Sequence, residues 1–475
     1  MRGLSLKGKH IGILGLGKAG MSAARWLHGQ GSTLTCFDDK PVDLLDEDFV
    51  LWCGERQIAI RSLAQKGLCE SFDEIDLLVV SPGIPKDHHL VKEATEEGVK
   101  TVGELYLAAS FWKGPLIGIT GTNGKTTTTL LTQHLLEGSG KRAIYGGNIY
   151  PPLFDLLHKD DGKTCAVLEI SSFQLEYFPL DNVFDLKRPR FICAVCLNVA
   201  PDHLDRHKGM ENYLKAKERL FSFQDEDCTA VLGIGAEEFK TVAPPVFLKD
   251  VTVLKDKAMR LAIPSFHDTF TFDISGWGLL GHHNLQNLAA ALVCSCAMGA
   301  SVRKMEKALS TFRAPSHRLQ EVAFEKGIRF IDDSKATNVH AVLKGLEAIS
   351  GNVILIAGGR AKGEDFSHLA HGLKCLGGRN GHKTNIRSIF LIGEAAQEMS
   401  VPLGKLGKEL RIVTGNDGQE VMERAVKQAV SVARSGDSIV LSPACASFDL
   451  YSSYKERGLS FQKAIKRVID GARSE

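Results

Sequence analysis

Residues 116–127 read Leu-Ile-Gly-Ile-Thr-Gly-Thr-Asn-Gly-Lys-Thr-Thr. The apolar run from Pro115 to Ile119 has the length and composition of a buried strand. Gly121 and Gly124 break it, and Thr126 to Leu136 then reads as a helix. A strand, a Gly-rich turn and a helix N-terminus make an anion cradle, because backbone N–H groups and the positive end of the helix dipole face a phosphate. Gly121, Thr122, Asn123, Gly124, Lys125, Thr126 and Thr127 are therefore candidate nucleotide contacts. Lys125 can reach the β- and γ-phosphates, and the Thr126 hydroxyl can reach Mg²⁺. Ile119 stands where the common spacing puts the first Gly, so the motif departs from the usual loop. The bland alternative is a strand-to-helix turn with a chance Lys-Thr; against it, all parts stand in the right order.

The whole chain sets bounds around this loop. Its 475 residues allow three domains, each with its own core. The net charge of +2 offers no basic field for nucleic acid. No apolar run reaches the roughly 20 residues of a membrane helix, so no membrane insertion is expected. The run Ile11 to Leu16 is too short for a signal peptide and continues into a Gly loop. Eleven cysteines, an odd count, lie mostly in apolar segments, and the lone pair Cys193–Cys196 reads as buried thiols rather than a zinc or redox motif. These features lead us to expect a soluble, cytoplasmic enzyme; separately, a monomer is expected.

Working outward toward the N-terminus, residues 1–112 form the first segment. His10 to Leu14 reads as a strand, Gly15-Leu-Gly-Lys-Ala-Gly20 as its turn, and a helix follows through Leu27. Asp38 ends the next strand, Thr33 to Phe37. This is the dinucleotide fingerprint with its acidic residue near the expected offset. The same loop can hold NAD or the pyrophosphate of a UDP-sugar, and an ordinary βα turn also fits. The strand-turn Leu77-Leu-Val-Val-Ser-Pro-Gly-Ile84 could supply a second wall.

In the middle segment, 113–313, alternating strand and helix patterns predict a mostly parallel sheet, with ligands beyond the strand C-termini. Cys165 to Glu169 is one strand ending in a carboxylate, and Ile192 to Val199 is another, followed by Asp202-His203-Leu-Asp205-Arg206-His207. Glu169 suits Mg²⁺, which prefers oxygen; His203 is a softer ligand, and exposed loop histidines are common. Asn284 and Asn287 share one face of a helix running through Met298, where they could meet an adenine edge. Capping explains Asn284 alone. In the helix Gly209 to Phe223, Lys217 falls on the apolar stripe of Tyr213, Leu214, Leu220 and Phe221, whereas Lys215, Glu218 and Arg219 fall off its centre. Lys217 is thus expected to point inward, as a snorkelling lysine, a buried ion pair, or an amine whose pKa burial lowers. The charged run Asp181 to Arg190 reads as a surface loop.

The last segment, 314–475, opens on the hinge Ala314-Pro-Ser-His-Arg318, where His317 could stack on adenine and Arg318 could pair with phosphate. Strand-like runs at Arg329–Ile331, Val353–Ala357, Ile389–Ile392, Arg411–Val413 and Ser438–Leu441, mostly separated by helical patterns, predict a third α/β domain. Gly377 to Asn385 is a polar insertion. Three strand-end motifs stand out: Asp332 to Asn338, Gly358 to Gly363 with Lys362, and Ser442 to Asp449 leading to Tyr454. Singly each reads as a surface turn. Together they offer a cationic, hydroxyl-lined pocket for a small dicarboxylate.

These residues carry a family resemblance. Gly121-Thr-Asn-Gly-Lys-Thr126 resembles the ATP loop of the Mur ligases and folylpolyglutamate synthetases. Leu168 to Glu176, Asn198 to His207, Asp333-Ser-Lys-Ala-Thr-Asn338 and Ser442-Pro-Ala-Cys-Ala-Ser447 resemble the D-glutamate-adding branch of the Mur ligases, in family order over nearly the whole chain. The resemblance implies a Rossmann-like N-terminal domain, a central P-loop ATPase-like domain and a C-terminal Rossmann-like α/β domain. It implies that Gly17, Lys18, Ala19, Asp38, Lys40 and Gly83 meet the UDP part of UDP-N-acetylmuramoyl-L-alanine, and that Asn148 approaches its muramoyl part. Asn284, Asn287, His317, Arg318, Asp333 and Lys335 would surround ATP, and Thr337, Lys362, Ser447 and Phe448 would hold D-glutamate. Thr126, Glu169, His203 and Lys217, the last as a CO₂-derived carbamate, would hold two Mg²⁺ ions. Tyr454 stands where the family often has Phe. The implied reaction is ATP-dependent amide formation through an acyl phosphate and a tetrahedral intermediate. Rival readings are a Mur ligase for another amino acid, a folate polyglutamylase, an ATP-binding switch or transporter subunit, and an NAD-dependent oxidoreductase. Neither of the last two needs both phosphate loops.

Overall fold

In the computed structural model, the strand Leu116–Thr120 lies inside a six-stranded sheet of order Pro245–Phe247, Thr229–Ile234, Phe191–Asn198, Leu116–Thr120, Cys165–Glu169, Ala143–Gly147. Every neighbouring pair is parallel. Leu116–Thr120 and Cys165–Glu169 are buried at every position, which is why they read as unbroken apolar runs rather than alternating ones. Parallel pairing brings Thr120, Glu169 and Asn198 to one sheet edge, where the connecting loops carry ligand-facing groups. The structure describes residues 6–63, 74–181, 186–254, 257–279, 281–313, 316–363, 365–376 and 384–474. Residues 182–185 of the charged run, Ala314 and Pro315 of the expected hinge, and 377–383 of the polar insertion lie outside them.

Two compact units make up the chain. The first comprises Met1–Val199, Met210–Gly278 and Gln286–Phe312; the second comprises Ala200–Gly209, Leu279–Leu285 and Arg313–Glu475. Besides the central sheet, the first unit holds an all-parallel sheet ordered Ala59–Ser62, Thr33–Asp38, His10–Leu14, Leu77–Val80, Lys100–Gly103. One hydrophobic cluster runs through both sheets, from Ile11 and Cys36 to Leu168 and Ala194. Tyr106, on the helix Glu104–Phe111 after the first sheet, packs edge-on against Phe178 and Phe223 of the central segment. Burying each such aromatic stabilises by about 1.5–3 kcal/mol, so the cluster fixes the two sheets against each other.

The second unit carries a sheet ordered Gln320–Glu325, Ile328–Asp332, Ser438–Leu441, Gly351–Gly358, Thr384–Ile392, Glu409–Ile412. It is parallel except for its Gln320–Glu325 edge strand. That edge strand and a small antiparallel sheet, Thr252–Val253, Ala258–Ile263 and Asp268–Asp273, were not read from the sequence. Both are half-exposed strands with mixed polar composition, which periodicity separates poorly from loop. The helix expected over Gly209 to Phe223 is an α-helix, Met210–Glu218, that tightens into a 3₁₀ turn at Arg219–Phe223. Tertiary packing of Leu220, Phe221 and Phe223 decides that ending. Among the described residues no helix is long and apolar enough to cross a membrane.

Candidate active site

The phosphate loop is built as its sequence requires. Gly124 is left-handed (φ +88°), and a Cβ there would lie 2.3 Å from Asn287 Oδ1, so only glycine fits. It caps the helix Lys125–Gly138, whose positive end thus faces the loop where an anion would sit. Asn198, at the end of the neighbouring strand, braces the loop. Its backbone carbonyl accepts from Thr122 N–H at 2.8 Å, its Oδ1 accepts from Asn123 N–H at 2.9 Å, and its Nδ2 donates to Asn123 O at 3.0 Å. Lys125 folds back over the loop and donates to Gly121 O (2.8 Å) and Thr122 O (3.0 Å). Its ammonium is thereby held where the loop curls, with Thr126 and Thr127 on the helix beneath.

Glu169 lies one strand away. Its Oε1 accepts from Asn148 Nδ2 at 2.7 Å, while its Oε2 is buried and accepts no hydrogen bond. A buried carboxylate oxygen without a donor is costly unless a cation completes it, so this donor set fits Mg²⁺. Asn148, expected to touch substrate, is thus tied to Glu169 through both its side chain and its N–H, which donates to Glu169 O at 2.8 Å. Lys217 is 1% exposed, as the apolar stripe predicts, whereas Lys215 is solvent-facing and paired with Glu211. Burial rules out the snorkelling alternative for Lys217. Its Nζ sits 4.5 Å from the Tyr213 ring centre, and Tyr213 Oη lies 3.0 Å from Thr122 Oγ1 of the phosphate loop. His203 belongs to the second unit, in a left-handed conformation (φ +55°), with Nε2 3.6 Å from Asp202 Oδ2.

Asp38 turns its carboxylate onto the N-terminal glycine loop, accepting from Leu16 N–H at 2.6 Å and Lys40 N–H at 3.0 Å. Gly17 caps the helix Lys18–Gly29 without a side-chain bond, and a Cβ there would meet no atom within 4 Å. Gly83, on the opposite turn, is equally open. Lys18 Nζ lies 5.3 Å from the ring of Tyr150, two residues past Asn148. Ala19 occupies the first turn of the same helix.

Within the second unit, the three strand-end motifs converge. Lys362 Nζ donates to Asp202 Oδ1 at 3.0 Å, and Asn338 Nδ2 donates to Asp202 Oδ2 at 3.1 Å. Asn338 also caps the helix Val339–Glu347. Thr337 lies in the turn just before that cap, and Ser447 is buried. Phe448 is 65% exposed, which suits a group that closes over a ligand. Asp333 accepts from Ser442 Oγ (2.9 Å) and Leu319 N–H (3.2 Å), yet burial pushes its carboxyl up to about 7. Lys335 Nζ sits 3.8 Å from the Tyr454 ring centre, so that aromatic position is used through its face. His317 is buried, with Nδ1 2.7 Å from Asp332 Oδ2, while Arg318 lies close enough to favour the Asp333 anion. Asn287 abuts Gly124 in the first unit, and Asn284 falls in the second.

Comparison with known proteins agrees with this arrangement. Residues 9–103 match the Mur ligase MurD-like N-terminal domain, 119–295 the Mur ligase middle domain, and 317–445 the Mur ligase glutamate ligase domain. UDP-N-acetylmuramoylalanine–D-glutamate ligase of Koribacter versatilis is 34% identical, over 98% of this chain and 99% of that protein. The enzyme of the same name from Trichlorobacter lovleyi is 35% identical, over 98% of this chain and 100% of its own length. The chain belongs to the Mur ligase family. Solved structures agree on the fold. A pseudomurein peptide ligase type C from Methanothermus fervidus has a TM-score of 0.56 at 18% identity, covering 97% of this chain and 100% of its own. A MurF ligase from Thermotoga maritima, in complex with ADP, has a TM-score of 0.53 at 15% identity, covering 98% of this chain and 100% of its own.

This Mur ligase is an ATP-dependent amide-forming enzyme with three family domains. Three of its site-building residues escaped the sequence reading: Asn198, Tyr213 and Asp202. Asn198 and Asp202 lie within the Asn198 to His207 motif but carried no signal of their own. Tyr213 read as core.

Proposed function

We propose that this ligase joins D-glutamate to UDP-N-acetylmuramoyl-L-alanine in the cytoplasm, as a monomer, with residues 1–112 holding the UDP substrate, 113–313 ATP, and 314–475 the amino acid. One observation carries the reading: relatives matched over nearly the full length of both chains bear that activity in their names. The braced phosphate loop, the second glycine loop and the polar cluster around Lys362 support it, and the buried free cysteines suit a reducing compartment.

ATP phosphorylates the L-alanyl carboxylate, and the D-glutamate amine attacks the acyl phosphate. Phosphate then leaves from a tetrahedral intermediate. Positioning and charge neutralisation dominate such a transfer. Lys125 and the helix N-terminus take the ATP phosphates, and Asn198 keeps the loop in shape. Asn148 orients the muramoyl end while bound to Glu169. Thr126, Glu169, His203 and carbamylated Lys217 would hold two Mg²⁺ ions, which when bound neutralise phosphate charge. Lys362, Thr337, Ser447 and Phe448 receive the amino acid. Asp202 occupies Lys362 until an incoming carboxylate takes its place.

Amino-acid choice tests the assignment. ADP release should require the UDP acceptor and should be fastest with D-glutamate. In that assay Lys362→Ala is expected to raise the apparent KM for D-glutamate about ten- to a hundredfold, the worth of one charge-assisted hydrogen bond, with the KM for ATP little changed. An equal rise for both would move Lys362 to the nucleotide; a better rate with L-glutamate or L-lysine would reassign the substrate and keep the ligase class.

The N-terminal loop gives a second test. Because a Cβ at Gly17 meets open space, Gly17→Val should fold normally and obstruct only a ligand. Calorimetry should show UDP-acceptor binding weakened by about tenfold or more, about 1.4 kcal/mol, with ATP binding unchanged. Tight NAD binding by the wild type would instead favour a dinucleotide role.

A further inference from the structure

The three loops proposed to hold the amino acid hang from different strands of the second unit. Thr337 follows Ile328–Asp332, Lys362 follows Gly351–Gly358, and Ser447 follows Ser438–Leu441. Their mutual spacing must hold to a fraction of an ångström for one small zwitterion to touch all three. Arg457, on the C-terminal helix Tyr454–Ser474, is 1% exposed and sits where these loops meet. Its Nη2 donates to Ser334 O (2.9 Å) and Cys445 O (3.1 Å). Its Nη1 donates to Ala446 O (3.2 Å) and Gly358 O (3.4 Å), and its Nε to Ser334 Oγ (3.1 Å). One side chain therefore engages the loop before Thr337, the loop before Lys362 and the loop before Ser447.

The chain is shaped around this guanidinium. Gly359 has φ +133°, and a Cβ there would lie 2.2 Å from Ala446 O and 3.0 Å from Arg457 Nη1, so the second loop can close over the fork only as glycine. Ser334 Oγ passes the network on, donating to Tyr454 O at 2.8 Å. Burial lowers the guanidinium to about 10, against nearby groups that raise it, which still leaves it charged at neutral pH. A simple core role would not need a cation whose hydrogen bonds run to loop carbonyls and one loop hydroxyl. Lysine offers donors from a single point and cannot span these carbonyls as a planar fork does.

We propose that Arg457 is a positioning residue that sets the spacing of Thr337, Lys362 and Ser447, and so governs capture of the amino-acid substrate without touching it. This rests on the D-glutamate reading above. Two of the three tied loops carry only amino-acid contacts, so that substrate is the one chiefly affected.

The test uses the full chain as Arg457→Lys and, as a milder change, Ser334→Ala, which removes the Nε acceptor. For each, ADP release gives separate KM values for D-glutamate, ATP and the UDP acceptor, and thermal unfolding reports stability. Arg457→Lys should raise the KM for D-glutamate about tenfold or more while the other two move less than about threefold. Ser334→Ala should shift the same KM in the same direction by a smaller factor. Equal changes in all three KM values, loss of stability with an unchanged D-glutamate KM in the folded fraction, or no effect of Ser334→Ala on that KM would each overturn the proposal. A wild type that ignores D-glutamate but uses another amino acid would refute the substrate assignment alone, and the KM comparison would then be read with that amino acid.

Discussion

Lys125→Ala is expected to leave a folded protein that releases phosphate at about a hundredth of the wild-type rate or less. The ammonium donates to Gly121 O and Thr122 O at the curl of the phosphate loop, where it can turn to the γ-phosphate when ATP enters. No other side chain read in this loop carries a positive charge, so the variant lacks the cation that offsets charge building on the transferred phosphoryl group. The fold should survive. The loop is braced independently by Asn198 and the strand beneath it is buried throughout. Steady-state phosphate release, with unfolding temperature as the control, decides the matter; near-normal turnover by a folded variant would remove Lys125 from the chemistry.

Lys217→Ala should be equally damaging, with a distinctive remedy. A fully buried lysine stands next to Tyr213, which in turn reaches Thr122 of the phosphate loop. If CO₂ converts that amine to a carbamate, a cation becomes an oxygen anion that Mg²⁺ can bind, as it can the partnerless Oε2 of Glu169. Removing it costs about a hundredfold or more in rate. Acetate, a short carboxylate able to enter the space left by alanine, should restore part of the turnover. Incubation with isotope-labelled bicarbonate should label the wild type and not the variant. A structural ion pair predicts the loss but neither the acetate rescue nor the label. Full activity of the alanine variant in CO₂-free buffer would refute a required carbamate.

Much of this molecule was legible in its letters because local rules and tertiary outcome coincide there. The strands His10–Leu14, Cys165–Glu169 and Ser438–Leu441 fall where the apolar runs place them, since a strand buried on both faces has no other composition available. The phosphate loop is likewise local: its glycines, its lysine and its glycine-capped helix lie within one short stretch. The inward turn of Lys217 also followed from helical periodicity alone. Among the strands not named from the sequence, Gln320–Glu325 and the small sheet through Asp268–Asp273 are half-exposed and lack such a pattern, whereas Thr229–Ile234 is buried over its first five residues.

Site geometry divides along the same line. Sequence determined which residue types stand after which strands: a carboxylate at 169, a lysine at 362, a serine at 447. Only the tertiary structure decided what holds them. Asn198 braces a loop 75 positions away, Asp202 meets a lysine 160 positions away, and Arg457 gathers backbone carbonyls up to 123 positions away. Sheet order brings these partners together, and their contacts run largely through main-chain atoms that every residue possesses. A bond to a carbonyl leaves no mark on the identity of the residue that supplies it, so the chemistry was written in the sequence and its alignment was written in the fold.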